Sequence, residues 1–393
     1  MIPAWMRPLV KWVVDRLPEP ISERVLPWKR VEFREAGTAR VAPAERRLLI
    51  GPVNSAGQAH AWAVAASRMP GTAAMNVMFR GAEDAFGFPA DQSVPTAYAV
   101  LNRRWQRAQR RAINRGFTHV IIESGRRMLG SVVSSARSEA ADFGRHGVRV
   151  AFLWHGSDVR LPSAHARMDE DSPFRDGSYP DQVLLEEIAL HNHELIATTD
   201  LPNFVSTPDL LSFVPGAKWL PVVVEPTRWA QAAAQPVLRR DRPIVVHAPS
   251  RAGLKGTALI TPTLRRLQDE GLIEYREVKD VPAHDMPVVY GEADIVLDQF
   301  SLGIYGVAVC EALAGGRVVI SHVSDEVRRT VLAETGHELP VIESRARDLE
   351  AALRSIVADP TTARDIASRG PAFVADVHDG TRSRAALFAF LGG

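Results

Sequence analysis

His247-Ala248-Pro249-Ser250-Arg251-Ala252-Gly253-Leu254-Lys255-Gly256-Thr257 and, further along, Asp298-Gln299-Phe300-Ser301-Leu302-Gly303-Ile304-Tyr305-Gly306-Val307-Ala308-Val309-Cys310-Glu311-Ala312 share one design. Each sets polar residues directly after a short apolar run, Ile244 to His247 or Ile295 to Asp298, and directly before an amphipathic stretch. In a parallel α/β sheet that position lies past the carboxyl end of a strand and at the amino end of a helix. Backbone N–H groups and the helix dipole gather phosphate oxygens there. The two stretches point to an α/β fold with parallel sheets and to a site for a phosphate-bearing ligand.

Outward from these motifs the pattern continues. Strands are expected near Ile273 to Val278, Val318 to His322 and Val341 to Ile342, interleaved with helices near Leu259 to Glu270, Tyr305 to Ala314, Asp325 to Glu334 and Arg347 to Ala358. Before the punctuated stretch Ala230 to Arg242, a first cycle reads the same way. Its strands are near Arg47 to Gly51, Ala74 to Phe79, Thr118 to Ile122 and Val148 to Trp154, and its helices near Gln58 to Met69, Thr96 to Arg115 and Ser131 to Gly144. Strand and helix alternate throughout, so each half is a parallel sheet wrapped by helices.

A chain of 393 residues with formal net charge +1 fits two domains and gives no bulk electrostatic reason for a nucleic-acid partner. Its single cysteine, Cys310, excludes an internal disulfide framework and suits a reducing cytosol. No apolar run is long enough to span a bilayer. Near the N-terminus Trp5, Met6, Leu9, Trp12, Val13 and Leu17 form an apolar side opposite Arg7, Lys11 and Asp15, a helix that packs on the protein or lies on a membrane.

The paired motifs resemble nucleotide-sugar glycosyltransferases of the GT-B fold, in particular the retaining family 4 group. Within it they resemble bacterial members with His-Ala-Pro-Ser…Lys-Gly-Thr and Asp-Gln…Gly-x-Tyr-Gly…Glu-Ala segments. The resemblance is most specific across residues 198–323. It implies two Rossmann-like domains with parallel sheets facing an interdomain cleft. Residues 1–230 are then the acceptor-side domain, with 1–46 an amphipathic or extended leader. Residues 231–375 are the donor-binding domain, and 376–393 a closing helix that crosses back. The donor is a nucleotide-diphosphate sugar. The acceptor is a hydroxyl on a glycan, a lipid-linked carrier or a small molecule, as in bacterial glycan or glycoconjugate synthesis. The compartment is cytoplasmic, with peripheral contact at the inner membrane face as an open alternative.

The resemblance carries over to particular positions. Arg251 and Lys255 match the basic pair that grips the donor pyrophosphate, Arg as a fork and Lys as a point charge. Gly303, Tyr305 and Gly306 match the turn that brings backbone N–H groups to the phosphates, and Glu311 matches the carboxylate that holds the ribose. His155, after the strand ending at Trp154, lines the transferred sugar, with Asp158 to orient it on the acceptor side. Gly57 in Asn54-Ser55-Ala56-Gly57 matches a small-residue loop near the donor, a stretch that also reads as a helix cap. Base contacts are expected from backbone around Lys279 to Pro282.

One position departs from the family. Many family 4 enzymes place a first Glu eight residues before the ribose Glu, and here that position is Gly303. The gap bears on sugar recognition and retention. It keeps three alternatives in view: an inverting transferase, a nucleotide-sugar epimerase and a non-catalytic binding partner of another transferase. Lys255-Gly256-Thr257 is no P-loop, because the required preceding glycines are absent. Asp169-Glu170-Asp171 has a metal-binding spacing but sits in a polar loop, so it reads as solvated, and neither metal nor other cofactor is expected. Along the helix of Thr96 to Arg115, Tyr98, Leu101, Trp105, Ala108 and Ala112 read as a core stripe. Arg103, Arg107 and Arg110 read as an outer face for solvent, anionic lipid or a phosphorylated acceptor.

Overall fold

The computed structural model describes residues 36–392 except 82, 83, 85 and 234, together with Val13 and Ile21. The amphipathic segment read at residues 5–17 lies outside the described residues but for Val13. The chain falls into two compact units, residues 1–84 with 89–151, and residues 85–88 with 152–393.

In the first unit, β1 (Arg46–Gly51), β2 (Thr72–Arg80), β3 (Gln92–Pro95) and β4 (His119–Glu123) lie in the order β3-β2-β1-β4. The β1–β2, β1–β4 and β2–β3 pairings are parallel, with Leu48 beside Ala74 on one flank and His119 on the other. Leu48, Leu49 and Ile50 are wholly buried, the run of consecutive apolar residues expected of a strand covered on both faces. Helices α1 (Gln58–Ser67), α2 (Thr96–Leu101), α3 (Arg103–Gly116) and α4 (Ala136–Arg145) complete the unit.

The sequence reads α2 and α3 as one helix, and the structure breaks it at Asn102. That residue leaves helical geometry (φ −91°, ψ 93°), and its side chain accepts the Trp105 N–H at 2.9 Å as an N-cap. The buried stripe of α3 is Trp105, Gln106, Gln109 and Ile113, which leaves Ala108 and Ala112 half exposed. The two buried glutamines there each bond the backbone through one amide atom. Gln109 Oε1 accepts the Ala39 N–H, and Gln106 Nε2 donates to the carbonyls of Ala99 and Val100. Arg110 leaves the solvent face read for it and forks onto Asp142 with two bonds of 2.6 Å.

In the second unit the end of β5 (Arg149–Trp154) continues to β6 (Asn203–Val205) and β7 (Lys218–Trp219). Between them come the short helix α5 (Gly156–Val159) and α6 (Gln182–Ala197). A five-stranded parallel sheet follows: β8 (Ile244–His247), β9 (Glu274–Glu277), β10 (Ile295–Leu297), β11 (Val318–Ser321) and β12 (Ile342–Glu343), in the order β12-β11-β10-β8-β9. Its helices are α7 (Thr257–Asp269), α8 (Val307–Ala314), α9 (Asp325–Thr335), α10 (Leu349–Ala358), α11 (Thr361–Val377) and α12 (Thr381–Leu391).

Val245, Ile295, Leu297, Val318 and Ile320 of this sheet pack with Ile260, Leu264 and Leu267 of α7 and Leu353 of α10. Truncating one of these buried leucines to Ala costs about 3 kcal/mol. The closing helix α12 packs against β6 through Phe390 and Phe204, whose ring centroids are 6.0 Å apart, and Ser383 Oγ donates to the Pro221 carbonyl at 2.8 Å. Among the described residues no helix is long and apolar enough to cross a membrane.

Candidate functional site

The two motifs that opened the sequence reading dock onto each other in the second unit. The Phe300 N–H donates to the Lys255 carbonyl at 3.0 Å. Gly256, at φ 70°, lets the loops close, because a Cβ there would stand 2.4 Å from Ser301 Oγ. His247 ends β8 wholly buried, and burial lowers its pKa. Its Nδ1 faces the Leu297 carbonyl at 3.0 Å and its Nε2 faces Thr257 Oγ1 at 2.8 Å. A carbonyl only accepts, so Nδ1 carries the proton and Nε2 accepts from Thr257. His247 and Thr257 thus tie β8, β10 and α7 together.

Gln299 plays the matching part after β10. It is wholly buried; its Nε2 donates to the carbonyls of Ile304 and His322, and its Oε1 accepts from the N–H groups of Ser301 and Leu302. One amide therefore shapes the loop that leads to Gly306. Gly303 sits in that loop at φ 65°, where only glycine is unstrained. Gly306 precedes α8 at φ −144°, and a Cβ built on it would meet nothing within 4 Å. The amino end of α8 is open.

The other candidate side chains are held by neighbours of their own. Arg251 is exposed, and its Nη1 reaches Ser157 Oγ at 3.4 Å, which sets it beside the loop of His155. The His155 N–H donates to Asp158 Oδ2 at 2.8 Å, while the ring Nδ1 lies 3.2 Å from Ser206 Oγ. Asp158 thus closes the capping box of α5, whose N-cap is His155. Lys255 Nζ lies 2.5 Å from Asp298 Oδ1. Asp298 is buried, and its Oδ2 has no hydrogen-bond partner among the described residues.

The Glu311 carboxylate has neither hydrogen bond nor ion pair among the described residues. Part of it remains reachable by solvent, yet the protein around it is dense. Desolvation raises its carboxyl pKa to about 8, with the Arg228 guanidinium opposing and Asp298 adding to the rise. Burial and the same acids also push up the Tyr290 hydroxyl and the Cys310 thiol. Arg228 itself is anchored by the carbonyls of Ala283 and His284, at 3.2 and 3.1 Å.

The Tyr305 ring is 1% exposed and its hydroxyl lies 3.3 Å from His378 Nε2 in the core, so at this position the turn presents backbone alone. Its apolar ring gains more from burial than from the loop surface. One reading changes: Asp169 is buried and all three acids of Asp169-Glu170-Asp171 are paired, with Glu170 still exposed. Asp169 Oδ2 lies 2.8 Å from His322 Nε2, Oδ1 lies 3.2 Å from Arg345, Asp171 also pairs with Arg345, and Glu170 pairs with Arg347 at 2.7 Å. Burial opposes a charged His322, but bonds to Asp169 and Glu343 outweigh it and raise its pKa to about 9. The loop lies directly over Gly303, whose Cβ would stand 3.3 Å from Asp169 Oδ2.

Gly57 lies in the first unit, where it caps α1 at φ 74°. Asn54 supplies the capping bond, its Oδ1 accepting the His60 N–H at 3.1 Å. Sequence reading missed the pairing of Asp298 with Lys255, the influence of Arg228 on Glu311 and the cations around Asp169. The signal for the first was present, since Asp298 is an acid directly after an apolar strand.

No protein-family model and no curated protein matches the sequence. Solved structures do. Sucrose-phosphate synthase from Thermosynechococcus elongatus is similar at TM-score 0.55 and 15% identity, over 88% of this chain and 98% of that one. HepE from Anabaena, in complex with UDP and glucose, gives TM-score 0.55 and 11% identity over 88% and 99%. A glycosyltransferase from Rickettsia africae gives 0.51 and 11% over 89% and 98%. The fold of this chain is GT-B.

Proposed function

We propose that the chain transfers a sugar from a nucleoside-diphosphate donor to a hydroxyl acceptor, with retention of configuration and without a metal. The observation that carries this reading is a half-buried Glu311 carboxylate without a partner among the described residues, on the helix whose amino end is open at Gly306, near Asp298 and, through it, Lys255. A buried carboxylate without partners is costly, and two ribose hydroxyls satisfy it. The α8 N–H groups and the two cations then meet the diphosphate. The UDP and glucose bound by HepE, which has the same fold, agree with this chemistry.

In this mechanism the glycosidic C–O bond to the β-phosphate breaks while the acceptor oxygen attacks the anomeric carbon from the same face. The leaving phosphate takes the acceptor proton. Negative charge grows on that phosphate, so Arg251 and Lys255 stabilise the transition state more than the ground state. They carry the charge neutralisation that other transferases assign to a cation. Lys255 must turn from Asp298 toward the donor, and Asp298 then limits how firmly it holds the product diphosphate. His155 lines the sugar.

The test is incubation with UDP-, GDP- and dTDP-sugars and a mixed panel of hydroxyl acceptors, following nucleoside-diphosphate release and product anomer by NMR. Retained configuration in the product is expected. An inverted product, an isomerised donor without acceptor, or donor binding with no turnover would replace this reading with inversion, epimerisation or a non-catalytic binding role.

A further inference from the structure

The first unit carries a built site of its own at the carboxyl ends of β1 and β4. β1 pairs with β2 on one side and β4 on the other, so strand order reverses there. Such a reversal opens a crevice past the strand ends, the usual ligand position in open parallel sheets. A cavity of about 410 Å³ lies in it, within the range of roughly 300–1,000 Å³ typical of small-molecule sites. Val53, Phe79 and Val100 form its apolar wall, and Arg126, Arg127 and Ser131 its polar side. No acidic side chain lines it.

The loops around the cavity are held rigid from behind. Glu123, wholly buried, accepts the N–H groups of Val53 and Asn54 at 2.8 and 2.9 Å and so joins the loop after β1 to the end of β4. Glu139, also wholly buried, accepts those of Met128 and Leu129 at 2.9 and 2.8 Å. Among the described residues, five that are not glycine have positive φ, and three of them, Asn54, Ala56 and Ser124, lie in these two loops. Strain concentrated at one crevice and locked by buried carboxylates marks a preorganised site.

The cations are arranged for an anion. Arg127 is fixed by bonds from Nη1 to the carbonyls of Val133 and Ser134, at 2.7 and 3.2 Å. The Arg126 guanidinium is exposed and has no partner among the described residues. Two guanidinium groups with no acid between them match a dianion, and arginine forks suit phosphate oxygens.

We propose that this cavity binds a soluble phosphorylated hydroxyl compound, its phosphate on Arg126 and Arg127 and its carbon body against Val53, Phe79 and Val100. The proposal rests on the transferase reading only in making that compound the acceptor. Binding itself depends on the first unit alone.

The probe is phenyl phosphate, with phenol as its neutral counterpart, followed by ligand-observed NMR and calorimetry on the full chain. Phenyl phosphate is expected to bind the wild type and Lys255→Ala alike, and to bind Arg126→Gln at least tenfold more weakly. Val53→Trp, which fills the cavity, is expected to abolish binding, and phenol is expected to bind at least tenfold more weakly than phenyl phosphate. Unchanged melting temperature of Arg126→Gln, an exposed site, separates lost binding from lost folding. Equal binding to Arg126→Gln, loss in Lys255→Ala, equal binding of phenol, or no binding of phenyl phosphate to the wild type overturns the proposal. Absence of sugar transfer alongside the expected pattern overturns the transferase reading and leaves the phosphate site standing.

Discussion

Glu123 and Glu139 in the first unit are wholly buried carboxylates, Glu311 in the second is half-buried, and their circumstances are opposite. Each of the first two accepts a pair of backbone N–H groups and holds a loop in place. The Glu311 carboxylate accepts nothing among the described residues, although desolvation raises its pKa as it does that of Glu139, to about 8 and about 7. Partners distinguish a carboxylate that builds a loop from one that waits for a ligand. The contrast predicts that removing the first kind costs stability, whereas removing the second costs binding.

The largest effect lies beside Glu311. Lys255→Ala is expected to lower transfer by about two to three orders of magnitude, the scale of losing one charge-stabilising donor, as read from nucleoside-diphosphate release. Normal turnover in that variant would falsify its assignment. Next, Glu123→Ala strands two N–H groups and is expected to cost about 3 kcal/mol by denaturant titration, with nucleoside-diphosphate affinity retained. Glu311→Ala is the converse: affinity falls roughly 10- to 100-fold in calorimetry, the range of hydrogen bonds to a charged group, with no loss of melting temperature. If both variants lose stability and neither loses affinity, partner count does not separate the two roles.

Two titrations sharpen the contrast further. His322 has a folded pKa of about 9, above its ordinary 6.5. Its contribution is therefore complete below pH 6.5 and lost as pH rises through 9. Glu343, 40% exposed, is screened by solvent, which leaves roughly 2 kcal/mol. Stability of the wild type should decline over that window, and His322→Gln should flatten the decline. The smallest effect belongs to Glu311. If ribose hydroxyls bond its ionised form, nucleoside binding tightens by up to about tenfold per unit as pH approaches 8 and then levels off. A pH-independent affinity breaks that assignment.

Much of the fold could be read from the chain because its central strands are continuous apolar runs. Ile244 to His247 and Ile295 to Leu297 are buried on both faces, and the expected strands match them closely. Strand β6 and the edge strand β7 escaped because Asn203-Phe204-Val205 and Lys218-Trp219 are too short for alternation to register. Asn102 hid a helix break because an apolar period runs through it and only its side-chain bond reveals the cap. At the site, the roles of Lys255 and Glu311 came from the resemblance, while the inward Tyr305 ring and the cations that Asp169 finds far along the chain had no local signal. Such pairings arise from tertiary packing, which no local pattern encodes.

The unobstructed space before Gly306 has a practical consequence. Its φ of −144° is extended backbone that any residue adopts, so Gly306→Cys should install a side chain without distortion. The chain's single native thiol, Cys310, is buried and held protonated, so maleimide dyes would react with position 306 alone. A fluorophore there would report the arrival of a nucleotide as a change in emission, before any chemistry had taken place.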